Sequence, residues 1–101
     1  MFVRFSRYRF RDGAEAEGLE ILRRHVAALR AADGCEDAWV AQCQHPSTEL
    51  IVVARFRHET SLRAFEGRLR SDPSQGSDFF SLMRLTTQPP ELTAYEIRDP
   101  A

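Results

Sequence analysis

His25 falls on the apolar stripe of a predicted helix. Leu19, Leu22, Val26 and Leu29 recur at i, i+3, i+7 and i+10, and His25 lies three residues after Leu22 and four before Leu29. An imidazole at such a boundary can titrate near neutrality and pass a proton to or from a ligand. Trp39 offers an indole N–H and a stacking face, and Tyr8 offers a phenolic hydroxyl. Arg7 and Arg9 would hold an anionic oxygen if the strand face that carries them is concave. Phe79, Phe80, Leu82 and Met83 form an aromatic–aliphatic patch after a polar break, the composition of a lid over an apolar ligand. Each of these also has a plainer reading. A histidine at the stripe's edge bonds a carbonyl or water, and a tryptophan anchors a core or an interface. Strand tyrosines pack, strand arginines pair with carboxylates, and an apolar helix face packs on its neighbours.

The rest of the composition narrows the chemistry. The chain has 101 residues, is 43% apolar and 29% charged, and carries a formal charge of -1. Those values describe one globular domain rather than a disordered chain, and they give no basic surface for nucleic acid. All cations other than His are Arg; Lys and Asn do not occur. No stretch approaches the ~20 apolar residues of a membrane span. The N-terminal stretch interrupts its apolar residues with Arg, so no signal peptide is expected and the cytoplasm is the default location. No Cys/His spacing matches a zinc site, and no bound metal is expected. His45 and His58 flank predicted elements and read as surface residues. Cys35 and Cys43 fall in one predicted strand, roughly 26 Å apart at ~3.3 Å per residue, beyond the reach of a disulfide. Two buried, reduced thiols are the expectation.

These residues need elements to position them. Phe2–Phe10 is an aromatic-rich strand with apolar residues on both faces near its start. Asp12 followed by Glu15 resembles a capping box, and a long helix is predicted from Ala14 to Ala32, ended by Gly34. A hairpin follows, with strands over Cys35–Gln44 and Glu49–Arg57. Its second strand, through Leu50, Ile51, Val52, Val53 and Ala54, is apolar on both faces and therefore central. Thr60 or Ser61 is placed to cap a second helix bearing Leu62, Phe65 and Leu69. Ser71–Gly76 carries every local sign of a break. Asp78 would then cap a short helix over Phe79–Leu85, and Glu91–Arg98 reads as a last strand. The order β-α-β-β-α-(α)-β with right-handed crossovers gives an α+β, ferredoxin-like, four-stranded antiparallel sheet with helices on one face. The other face is left without cover while its strands carry apolar residues, and a second copy of the same sheet would cover it.

In this order the segments resemble the antibiotic-biosynthesis-monooxygenase-like (ABM) domain family of dimeric α/β barrels. The carrying pieces are F-R-D-G (Phe10–Gly13), A-A-D-G-C (Ala31–Cys35), E-L-I-V-V-A-R-F (Glu49–Phe56), E-T-S-L-R-A-F (Glu59–Phe65) and P-P-E-L-T-A-Y-E-I (Pro89–Ile97). The resemblance implies a homodimer with a pocket between helices and sheet in each subunit. It also implies oxygenation of a small phenol- or quinol-type aromatic without metal or flavin. His25 would then be the base that deprotonates the phenol. Trp39, Tyr8 and Arg7 would hold the anion, and Phe79, Phe80 and Met83 would enclose the ring. Haem-degrading relatives use an Asn on the first strand, a Trp ending the third and a His after the second helix. Here Asn is lacking, Phe56 stands at the Trp position, and no His follows Thr60. Two other functions share this architecture: a dimeric, non-catalytic small-ligand-binding or stress-related protein, and an interaction module whose pocket is filled.

Overall fold

A computed structural model describes residues 1–100, without the side chains of 74–77. The elements are β1 (Phe2–Arg9), α1 (Glu15–Arg30), β2 (Cys35–Gln42), β3 (Glu49–Phe56), α2 (Glu59–Ser71), α3 (Pro73–Leu85) and β4 (Glu91–Glu96). The four strands form one antiparallel sheet in the order β2-β3-β1-β4, the ferredoxin-like arrangement. The apolar hairpin strand β3 is central, as its composition demands, and β1 is its neighbour.

Strand register sorts the side chains into two faces. Arg4, Ser6 and Tyr8 of β1 lie beside Ala54, Val52 and Leu50 of β3, and all six are buried beneath the helices. Leu22, Val26 and Leu29 of α1 and Leu62 and Phe65 of α2 complete that core. The odd-numbered set faces the other way. Val3, Phe5, Trp39, Ile51, Val53 and Tyr95 form an apolar field there, with Phe5 edge-on to Tyr95 at 5.7 Å. No helix among the described residues lies over it.

Several local signals resolve differently from their sequence reading. The Asp12 capping box does not form: Ala14 is the N-cap of α1 and no side chain caps it. The Ala14 N–H instead donates to the Arg11 carbonyl at 2.9 Å, closing a turn in which Gly13 takes φ 84°. Thr60 and Ser61 lie inside α2, which starts at Glu59 with no side-chain cap. Ser61 packs against Gly34, so closely that a Cβ on Gly34 would collide with it. The expected break at 71–76 shrinks to Asp72, because Pro73 opens α3 directly with its preset φ. Asp78 therefore lies within α3 rather than capping it. Cys35 and Cys43 are free thiols as expected, but both are only half-buried. No helix is long and apolar enough to cross a membrane among the described residues.

Candidate functional site

A cavity of about 530 Å³ opens between the helices and the β1–β4 side of the sheet. Strand β1 contributes Arg4 and Tyr8, and α1 contributes Ile21 and His25. Helix α2 adds Glu66, Leu69 and Arg70, and α3 adds Asp78, Phe79, Phe80 and Leu82. Pro89, Pro90 and Leu92 close the β4 side. Period two in β1 brings residues 4 and 8 to this side, and helical spacing brings residues 21 and 25 of α1 onto one face. The walls are mainly apolar, with a few polar groups converging among them, the usual makeup of a small-molecule pocket.

His25 is 9% exposed and tilts against Phe65 with ring centroids 6.0 Å apart. Its Nε2 is buried and meets no hydrogen-bond partner among the described residues. Burial, reinforced by the Arg4 guanidinium and opposed by Asp78, lowers its pKa to about 4. That corrects the expectation of a group titrating near neutrality: at neutral pH the ring is an uncharged imidazole. Arg4 is 5% exposed, and its Nε meets Glu66 Oε2 at 3.4 Å. The other Glu66 oxygen is held by Arg63 Nη1 at 3.4 Å. Asp78 Oδ1 accepts from Arg24 Nη2 at 2.9 Å, a bridge from α1 to α3 across the cavity's margin. Burial raises the Tyr8 phenol above 10, opposed by the nearby Ser6 hydroxyl and Arg4. The Ser6 oxygen is itself buried without a well-formed hydrogen bond.

The structure thus gathers His25, Tyr8, Phe79 and Phe80 of the expected site, and leaves Arg7, Trp39 and Met83 off the cavity wall. Arg7 points from the opposite face of β1 and pairs with Glu49 at 3.7 Å and Glu91 at 3.3 Å. Trp39 opposes Val53 on that same outer face and is 39% exposed. Met83 is half-buried on α3 beside Leu82, which does reach the cavity. Sequence reasoning missed Arg4, Glu66, Arg70 and Asp78. The signal for Arg4 was present: it shares the even-numbered face of β1 with Tyr8. Phe79 and Phe80 border the cavity without filling it, and both remain exposed, Phe80 at 71%.

This is an α+β ferredoxin-like protein with one apolar-walled, arginine- and histidine-bearing cavity between helices and sheet. The antibiotic biosynthesis monooxygenase family's sequence profile matches residues 1–72, and the chain belongs to that family. No curated protein matches the sequence. Solved structures share the fold at low identity. Rv0793 from Mycobacterium tuberculosis is 21% identical with TM-score 0.80, over 97% of this chain and 95% of that one. A conserved protein from Methanosarcina mazei is 16% identical with TM-score 0.80, over 97% and 94%. SnoaB from Streptomyces nogalater, a cofactor-independent oxygenase solved as a mutant, is 17% identical with TM-score 0.77, over 97% and 93%.

Proposed function

We propose that this protein is a cofactor-independent monooxygenase that oxidises a small phenol- or quinol-type aromatic in the cavity. The observation that carries the reading is a buried neutral imidazole, with Nε2 unbonded, beside a buried guanidinium in an apolar pocket. The family supports the reaction class. Phenol oxygenation requires loss of the hydroxyl proton, because the phenolate is the species electron-rich enough to react with O2. His25 Nε2 accepts that proton, and the Arg4 guanidinium favours the anion that remains. Transfer to an imidazole with pKa about 4 is uphill unless the anion is stabilised, which gives Arg4 a necessary part. A ring carbon conjugated with the phenolate oxygen bonds to O2, and the peroxide formed takes the proton back. Loss of the ring C–H proton with cleavage of the O–O bond then leaves a carbonyl and water. Phenol plus O2 gives quinone plus water, all four electrons coming from the substrate. Tyr8, Ile21, Leu69 and Phe79 hold the ring and exclude bulk water.

Oxygen uptake by purified protein with a panel of hydroquinones and polycyclic phenols tests this. Consumption above the blank is expected, and His25→Ala should lower it by roughly 10²-fold or more while the protein stays folded. Unchanged turnover would remove His25 from the mechanism. One observation favours a second reading, a non-catalytic ligand-binding protein: the weak basicity of His25. Saturable ligand binding with no oxygen consumed would establish it.

The protein would act as a homodimer packed sheet to sheet through the Val3–Phe5–Trp39–Ile51–Val53–Tyr95 field. The apolar side chains with no helix above them support this assembly.

A further inference from the structure

We propose that the cavity selects aromatic anions: its ligand is a flat ring system whose acidic hydroxyl is held as the anion, and Arg4 sets that preference. The inference rests on the oxygenase reading only for what happens to the ligand after it binds. Arg4 is 5% exposed and lines the cavity from the helix side of β1. Its contact with Glu66 is a single long one, Nε to Oε2 at 3.4 Å, rather than the two-pronged pair a guanidinium makes with a dedicated carboxylate. Its two Nη atoms hydrogen-bond to no described residue. Glu66 divides its charge between Arg4 and Arg63. The cavity's other carboxylate, Asp78, is engaged by Arg24 from outside. Arg70 also lines the cavity and pairs with no carboxylate among the described residues.

The two arginines and two carboxylates of the cavity wall balance formally, and the donors left open among them are those of the desolvated Arg4 guanidinium. A buried guanidinium is costly when some of its donors stay open, and an anionic oxygen offsets that cost better than a neutral phenol does. His25 agrees with this assignment. A buried, weakly basic imidazole removes a proton poorly from an ordinary phenol, whereas an acidic hydroxyl needs no strong base. The ligand class is the vinylogous acids, phenols and enols conjugated to a carbonyl, such as hydroxyquinones and acylated polyphenols.

Calorimetric titration under argon tests the preference without turnover. The probes are 2-hydroxy-1,4-naphthoquinone, which is ionised at neutral pH, and 2-methoxy-1,4-naphthoquinone, the same ring system without the acid. The hydroxyquinone is expected to bind ~10-fold tighter or more, as a charge-assisted contact should provide. Arg4→Gln should erase the difference by weakening the hydroxyquinone alone. Glu66→Gln, which releases Arg4 from its carboxylate, should tighten the hydroxyquinone several-fold and leave the methoxy compound unchanged. Equal affinities in the native protein, saturable binding of neither probe, or a preference that survives Arg4→Gln would overturn the inference. If Arg4→Gln does not fold, the Glu66→Gln arm decides, and an unchanged hydroxyquinone affinity there overturns it. Preferential binding without oxygen uptake leaves the inference standing and removes the oxygenase reading. Oxygen uptake with neutral phenols and no anion preference does the reverse.

Discussion

His25 is the residue whose chemistry depends most on its surroundings. Its pKa falls from 6.5 to about 4 because burial disfavours the imidazolium and Arg4 adds repulsion, while Asp78 offsets part of the shift. The same shift makes the fold sensitive to acid. Above pH 6.5 the ring is neutral in both folded and unfolded chains and contributes nothing to pH dependence. As pH falls from 6.5 to 4, the unfolded chain binds the proton first, and stability drops by up to about 3 kcal/mol from this group. His25→Leu should remove that part of the acid sensitivity. Urea unfolding midpoints at pH 7.5 and pH 4.5 should draw closer together in the variant than in the native protein. An unchanged gap would show that His25 is not buried as a neutral group. Tyr8 shifts for the same reason in the opposite chemical sense, since burial disfavours the tyrosinate and the phenol stays protonated.

At the scale of elements, the placement of α1 on β1 decides what reaches the cavity. Gly18 and His25 lie two turns apart on one face of α1. Gly18 approaches the Phe10 ring so closely that any Cβ would overlap it. Gly18→Ala should therefore cost about 1–3 kcal/mol through overpacking, despite alanine's better helix propensity. It should also weaken ligand binding by moving His25 outward. A urea midpoint equal to or above that of the native protein would show that the helix can shift without penalty. The sequence located α1 and its apolar stripe to within a residue or two of the observed Glu15–Arg30. Its capping signals were misleading at the starts of α1 and α2, because a backbone turn closes ahead of α1 in place of the Asp12 cap and α2 begins at Glu59, which leaves Ser61 inside the helix against Gly34. The break before α3 was over-read for a related reason. Pro73 and Gly76 are turn residues in isolation, yet proline at a helix's first position is as compatible with starting one as with ending another.

At the scale of the whole molecule, the sheet has one covered and one open face. The open face carries Trp39 and an apolar field, with the pairs of Arg7 and Arg9 to Glu49 and Glu91 at one end. Trp39→Asp should convert the proposed dimer to monomer in sedimentation velocity while leaving the far-ultraviolet dichroism unchanged. Because Trp39 is the only tryptophan, its emission should shift to the red when the native protein is diluted through the dissociation range. A native protein that sediments as a monomer at high concentration would leave this face in need of another partner.

By itself the sequence determined the order of elements, the central position of β3, the apolar stripe of α1 and the family. These follow from local periodicity and from the sequence of segments, both carried by contiguous residues. It also divided β1 into two sets of side chains, because strand alternation is a property of the backbone. Which set the helices cover was decided only in the tertiary structure, through the crossovers that lay α1 and α2 on one side of the sheet. That choice placed Arg4 in the cavity, and it sent Arg7 and Trp39 to the open face. The protonation of His25 was likewise undetermined by its neighbours in sequence, since Arg4, which repels its charge, Phe65, which packs on it, and Asp78, which offsets part of the shift, come from β1, α2 and α3. Convergence of distant segments creates the site, and no local pattern records it.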